Sequence, residues 1–187
     1  MHLPRHLIQK ASLSKEAEQK IVTAFEQSNY RKGDFLFRQN ELCRHIYFIE
    51  KGLARFYYSN EKGKEITTWF GEENQFVTAI DCFYQHLPTR NNCELLEDSV
   101  IFSISFSKLE NMLNQNQDFS KFAFYVLFEI TRKLAEISSS IKSETAQQRY
   151  QTLLQESPEI FNRIQLNHIA SFLGITPETL SRLRSEK

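Results

Sequence analysis

Neither sign of charge is in excess in this chain of 187 residues: 23 Lys and Arg face 23 Asp and Glu. That balance excludes a chain-wide basic field, so affinity for an anionic partner has to come from local placement. Cysteine is scarce and odd in number. Cys43, Cys82 and Cys93 suit neither a disulfide framework nor a metal-ligand array, and read as free thiols in a reducing compartment. Long hydrophobic runs are missing too, since the longest, from Ala123 to Phe128, falls far short of a membrane span. The opening Met1-His2-Leu3-Pro4-Arg5 lacks the hydrophobic region of a signal peptide. The protein is therefore expected to be soluble, cytoplasmic and without a membrane partner. His2, His6, His45, His86 and His168 show no metal-ligand spacing, and no Ser, Thr or Cys has a His and an acid nearby to activate it. No metal, no cofactor and no catalysis are expected.

Against these absences, hydrophobic periodicity gives an order of elements, and with it an α+β fold. Residues 14 to 28 begin at a capping Ser14 and place Ala17, Ile21, Ala24 and Phe25 at helical spacing. Between about residues 31 and 105 the pattern turns to short β-rich runs: Phe35 to Phe37, Ile46 to Ile49, Ala54 to Tyr58, Ile66 to Phe70, Phe76 to Thr78 and Val100 to Ile104. Turn chemistry such as Lys32-Gly33-Asp34 and Asn60-Glu61-Lys62-Gly63 closes them. Repeated short strands predict a small antiparallel roll of jelly-roll type. A long helix is expected from roughly Ser107 to Thr145. Within it Ala123, Leu127, Ile130, Leu134, Ile137 and Ile141 alternate steps of four and three, the period of a seam between two helices. These six are the candidate dimer interface. The polar stretch at 142–148 is a candidate hinge, and the divisions follow: residues 1–115 a roll with its N-terminal helix, 116–145 the dimerisation helix and hinge, 146–187 a C-terminal domain. Ser157-Pro158-Glu159 reads as the capped start of a short helix.

The C-terminal stretch carries the chemistry. Asn167 to Leu173 reads as one helix, Gly174 as its left-handed stop, Ile175 as the corner, and Thr176-Pro177-Glu178 as the start of a second helix. Thr176 supplies the cap, Pro177 a first-turn residue needing no N–H partner, and Glu178 a negative charge at the positive end of the dipole. Ile169, Ala170 and Leu173 should pack on Leu180 and Leu183. That leaves Thr176, Pro177, Glu178, Ser181, Arg182 and Arg184 as the candidate DNA-binding residues, in a layout that fits a helix inserted into a DNA major groove. There an Arg can fork onto guanine and a Glu can accept from cytosine N4. Arg163, Arg182, Arg184 and Lys187 outnumber Glu178 and Glu186, a modest local excess that favours two copies acting together.

A helix, a β-roll, a long dimerising helix and a C-terminal helix-turn-helix, in that order, resemble the cyclic-AMP receptor and fumarate-nitrate regulator (Crp/Fnr) family. The most specific part is Ile169-Ala170-Ser171-Phe172-Leu173-Gly174-Ile175-Thr176-Pro177-Glu178-Thr179-Leu180-Ser181-Arg182, similar to that family's DNA-reading motif. The resemblance implies a homodimeric transcription regulator on a palindromic operator of double-stranded DNA, with RNA polymerase as a possible partner. It makes Glu178 and Arg182 the base-reading pair and Ser181 a phosphate or base contact.

Three departures are legible. Pro177 stands where a basic residue often precedes the Glu. The family's phosphate-binding cassette has a Gly-Glu pair after a strand and then an Arg, whereas Thr78-Ala79 fall at the pair's place and Arg90, between Thr89 and Asn91, is shifted by about one residue. Gly71-Glu72 is an alternative pair, but sits in a turn before the strand. Thr78, Ala79, Thr89, Arg90 and Asn91 are thus candidate effector-pocket residues, with cyclic AMP not expected in the family manner and a different small molecule, or none, expected instead. Last, the family's β-hairpin wing does not follow Arg182: it is naturally absent or short, or the chain is shortened. The cluster-bearing branch needs N-terminal cysteines, and none precedes Cys43; a haem branch needs an axial ligand, for which only His45 and His86 stand near strands. A small-molecule sensor acting through a protein partner is the alternative function, and a metalloenzyme built on a similar roll the second.

Overall fold

The computed structural model describes residues 13–80, 82, 87–115 and 117–185. The residues 1–5, His6, His86, Glu186 and Lys187, singled out above, lie outside the described residues.

Helix α1 (Lys15–Ala24) starts where Ser14 accepts a hydrogen bond from the Ala17 amide at 3.3 Å, and it buries Ala17, Ile21 and Ala24. It stops short of the expected residue 28, because Phe25 is already extended and Glu26–Tyr30 forms strand β1. The strands that follow are β2 (Phe35–Phe37), β3 (His45–Lys51), β4 (Ala54–Ser59), β5 (Glu65–Gly71), β6 (Phe76–Val77), β7 (Asn92–Leu95) and β8 (Ser99–Ser105). They form two four-stranded sheets in the orders β1-β8-β3-β6 and β2-β7-β4-β5, with antiparallel neighbours throughout. This is the expected roll. Strands β1 and β7 were not among the expected runs.

Period-two alternation explains the layering. In β3, Ile46 and Phe48 face the helices, joining Phe25, Phe76, Phe102, Phe119 and Phe122 in one core, while Tyr47 and Ile49 point between the sheets to Phe56, Trp69, Leu95 and Ile101. Gly52 is required where β3 turns toward β4: its φ is +118°, and a Cβ there would lie 2.0 Å from Ser99 Oγ. A register shift between Phe56 and Tyr57 on β4 leaves Thr68 of β5 without an opposite residue, a bulge that bends this edge of the roll.

The long helix expected from Ser107 is two helices. Ser105 caps α2 (Phe106–Leu113) by accepting from the Lys108 amide, and α3 (Gln117–Ser143) then runs unbroken for 27 residues. Its buried residues Phe119, Phe122, Val126 and Ile130 pack on the roll. Thr145 opens α4 (Ala146–Glu156) with a reciprocal capping box to Gln148, so α3 and α4 are joined through Glu144 and Thr145. The short α5 (Ile160–Arg163) follows. It is not capped by Ser157, whose hydroxyl instead donates to Glu72 Oε1 at 2.9 Å. Helices α6 (Leu166–Leu173) and α7 (Pro177–Ser185) are the last of the described residues. No helix among the described residues is long and apolar enough to cross a membrane.

The seam expected on α3 divides in two. Leu127, Leu134 and Ile141 are exposed, by 43–60 %. Ile130 is buried in the chain's own core, Ile137 packs on the core between the sheets, and Ala123 is half-buried beside the roll. Of the expected stripe, Ile130 is thus taken up by the chain's own core, while Ala123 and Ile137 stay partly exposed. The outward stripe is instead Phe124, Leu127, Thr131, Leu134, Ser138 and Ile141, again stepping by three and four, with Phe128 beside it.

Candidate nucleic-acid interface and effector cavity

Helix α6 ends where Gly174 takes φ +70°, its amide reaching the carbonyls of Ala170 and Ser171, and the Ile175 amide closes on the Ala170 carbonyl at 3.0 Å. This is the left-handed stop expected from the sequence. Thr176 Oγ1 accepts from the Thr179 amide at 3.2 Å, starting α7. Ile169, Ala170, Leu173 and Leu180 are all but fully buried together, so the two helices share one small core. Thr176, Pro177, Glu178, Ser181, Arg182 and Arg184 are all exposed along α7.

No ion pair joins Glu178 to Arg182 among the described residues. The Arg182 guanidinium donates instead to Thr179 Oγ1 at 3.4 Å, and a hydrogen bond from the Thr176 hydroxyl holds the Glu178 carboxyl below the usual carboxylate range. Both charges stay available at the surface. Arg163 is not available: its guanidinium grips Glu73 at 2.6 and 3.0 Å and Glu97 at 2.6 and 3.2 Å, both on the roll. Its positive charge therefore adds nothing to the local excess counted from sequence, which missed this clamp for want of any motif.

The C-terminal helices rest on β5 and its turn. Ser171 Oγ accepts from the Thr67 amide at 3.0 Å, Phe172 meets Phe70 at 5.3 Å between ring centres, and Leu53 and Phe70 enter the core of the helix-turn-helix. Arg149 joins the parts of this end, donating to the Glu144 carbonyl at 2.6 Å and to the Leu173 carbonyl at 2.7 Å. His168 is half-buried above β5, and burial, with Arg55 nearby, lowers its affinity for a proton.

A cavity of about 600 Å³ lies where roll, α3 and helix-turn-helix meet. Phe56, Trp69, Thr68 and Ala79 belong to its roll wall, Ile130, Leu134 and Ile137 to its α3 wall, and Leu173 and Gly174 to its third. Of the candidate pocket residues, Thr78, Ala79, Thr89 and Asn91 line it. Arg90 does not; it is exposed and borders an adjoining groove between the roll and α3, lined by Phe122, Ala123 and Leu127, which shares Thr78, Ile80 and Ile130 with the cavity. Glu72, the acid of the alternative Gly-Glu pair, stands in the turn after β5, where it accepts the Ser157 hydroxyl. No cluster of metal-ligating residues is found among the described residues.

Residues 27–116 match the family model of the cyclic nucleotide-binding domain. The chain is similar to the transcriptional activator protein Anr of Pseudomonas protegens, 24% identical over 164 residues, which is 82% of this chain and 66% of the relative. This chain thus spans 66% of that curated relative's length. Among solved structures, FixK2 from Bradyrhizobium japonicum superposes with a TM-score of 0.74 at 19% identity, covering 87% of this chain and 83% of that one. The c-di-GMP responsive regulator CLP of Xanthomonas campestris gives a TM-score of 0.74 at 12% identity, covering 92% and 91%. A roll that matches the cyclic nucleotide-binding domain is joined here by a long helix to a helix-turn-helix. In sequence and in fold the chain is similar to transcription regulators of the Crp/Fnr kind.

Proposed function

We propose that the protein is a sequence-specific, DNA-binding transcription regulator that acts as a homodimer. The observation that carries this is the outward face of α7, where Glu178, Ser181, Arg182 and Arg184 stand exposed on a helix whose other side is fixed by Leu180. A rigid helix with free polar side chains suits entry into a major groove. The outward stripe of α3 supplies the second copy: apolar side chains as exposed as Phe124, at 73 %, form a contiguous surface that a twin helix would cover. Pairing along it places two reading helices about a two-fold axis, and a palindromic operator follows.

The roll does not take cyclic AMP in the family manner. Among the described residues no carboxylate lines the cavity to accept a ribose hydroxyl, and Arg90 stands outside it. A different small molecule is the effector, acting by binding two domain arrangements with unequal affinity.

Selection of bound fragments from random duplex DNA, followed by titration of the selected site, tests this. Arg182→Ala should lose about 1–3 kcal/mol of specific affinity while the dimer mass in light scattering is unchanged. Equal affinity of the substituted and unsubstituted proteins for the selected site would sink the assignment of the reading face.

A further inference from the structure

One titratable ring, that of His168, lies where the helix-turn-helix is seated on the roll, away from the exposed reading face. We propose that His168 and the face of α6 beside it form an acid-released latch: with a neutral imidazole α6 rests on β5, and with a protonated one it leaves that strand. The release depends on contacts within one chain, whereas its effect on DNA rests on the function proposed above.

His168, Ser171 and Phe172 share one face of α6, at i, i+3 and i+4. Ser171 Oγ accepts from the Thr67 amide at 3.0 Å and donates to the Glu65 carbonyl at 3.3 Å, and Phe172 meets Phe70 at 5.3 Å between ring centres. Strand β5 ends its sheet, so α6 covers what would otherwise be an open edge. A charge introduced at His168 arises inside this contact.

His168 Nδ1 is buried and has no hydrogen-bond partner among the described residues. A neutral ring can present Nδ1 as a bare acceptor, but an imidazolium carries a proton on both nitrogens and places an unpaired donor in the seat. Surrounding charges do not offset that cost. Arg55 on β4 is 2 % exposed and holds the Glu65 carboxylate of β5 at 2.7 Å, so a second cation would face a fixed one whose counter-charge is already engaged. Glu94 on β7 also acts on Arg55. Arg149, from α4, reaches α6 at the Leu173 carbonyl, and Glu178, Arg182 and Arg184 of α7 are exposed. Burial first, and then Arg55, hold the His168 value below its ordinary 6.5 against an opposing pull from Glu65. The seated state thus takes the proton less readily than the released one: the seat is at full strength above 6.5 and weakens as pH falls toward the lower, seated value.

The Arg163 grip on Glu73 and Glu97 yields in a more acid window, because the Glu73 carboxyl lies below 4.5. Between the two windows the head is held at α5 and free at α6, so it pivots rather than detaches. In a dimer that pivot alters the spacing of the two reading helices, and affinity for an operator falls.

NMR of the full, isotope-labelled chain from about pH 8 to about pH 5 tests the latch. The ring resonances follow His168, and hydrogen exchange at the Thr67 amide, corrected for its intrinsic pH dependence, reads the contact with Ser171. Expected are a His168 midpoint below 6.5 and, over the same interval, a loss of Thr67 protection of about fivefold or more. His168→Gln stays polar without titrating and should keep Thr67 protection constant; His168→Asn replaces it if circular dichroism shows it unfolded. A midpoint at or above 6.5, Thr67 protection indifferent to the His168 titration, or the same acid loss in the variant overturns the latch. Affinity for the selected duplex should fall over this interval in the unsubstituted protein and not in His168→Gln. Equal pH dependence of the two overturns the link to reading. A selection that yields no specific duplex instead overturns the function proposed above, and leaves the NMR result standing.

Discussion

Replacing Arg163 by Met should loosen the C-terminal helices from the roll. The guanidinium makes four hydrogen bonds to Glu73 and Glu97, with the three side chains 23 %, 32 % and 33 % exposed. Fully exposed pairs contribute about 0–1 kcal/mol, and hydrogen bonds to charged groups about 1.5–3 kcal/mol each. Partial solvent screening brings the clamp as a whole to about 2–3 kcal/mol, part of it from the two carboxylates that would otherwise face each other unneutralised. At about 2–4 °C per kcal/mol for a chain of this size, Arg163→Met should lower Tm by roughly 4–12 °C in low salt. Added salt should narrow the difference.

The pH dependence has a definite sign. Burial works to raise the Glu73 value, yet hydrogen bonds from Arg163, from its own backbone amide and from the Gly52 amide outweigh it, so the carboxyl lies below its ordinary 4.5 in the folded chain. A depressed folded value contributes stability that is fully present above the unfolded value and lost as pH falls through the folded one. The Tm gap between the two proteins should therefore be constant from neutral pH down to about 5 and close below 4.5. Differential scanning calorimetry measures both effects. A Tm shift under about 1 °C at neutral pH, or a gap that widens on acidification, would refute the clamp as a stabilising contact.

Phe124→Glu should turn a dimer into a monomer in sedimentation equilibrium with little change in helix content, because Phe124, 73 % exposed, lies on the outward stripe of α3 and away from the cavity. Ile130→Ala should do the reverse, leaving association intact and costing about 2–5 kcal/mol of folding stability, since Ile130 lies in the chain's own core. Gly52→Ala should destabilise by more than about 2 kcal/mol in urea unfolding, combining the +118° φ with a Cβ 2.0 Å from Ser99 Oγ. Near-native stability of that variant would show that Ser99 yields at little cost.

The helix-turn-helix was legible because its signals are local. Gly174, Thr176 and Pro177 each fix a backbone feature within a residue or two, and the structure shows the stop and the cap where the sequence placed them. Strand β1 was not, because Glu-Gln-Ser-Asn-Tyr is exposed nearly throughout and held by pairing with β8 rather than by an apolar face. In β7, Cys93 and Leu95 alternate with Asn92 and Glu94, but four residues are too few to stand out from a loop.

The stripe on α3 illustrates a deeper limit. Two stripes, one through Ile130 and Ile137 and the other through Phe124 and Thr131, share Leu127-to-Leu134 spacing and have the same period, so periodicity identifies a helix with two apolar aspects without saying which side the roll covers. Arg163 and Arg90 are cases of the same kind. A sequence counts their charges, whereas only the fold shows that Arg163 meets Glu73 and Glu97 and that Arg90 lies away from the cavity.

Arg149 has a consequence for motion. By holding the Glu144 carbonyl on one side of the joint and the Leu173 carbonyl on the other, a single planar cation couples the end of the long helix to the base of the reading unit like a crank pin. Swivelling at Glu144 and Thr145 must then either carry α6 along as one body or snap two charge-assisted bonds together. Intermediate poses are penalised, which favours a head that occupies discrete settings over one that drifts.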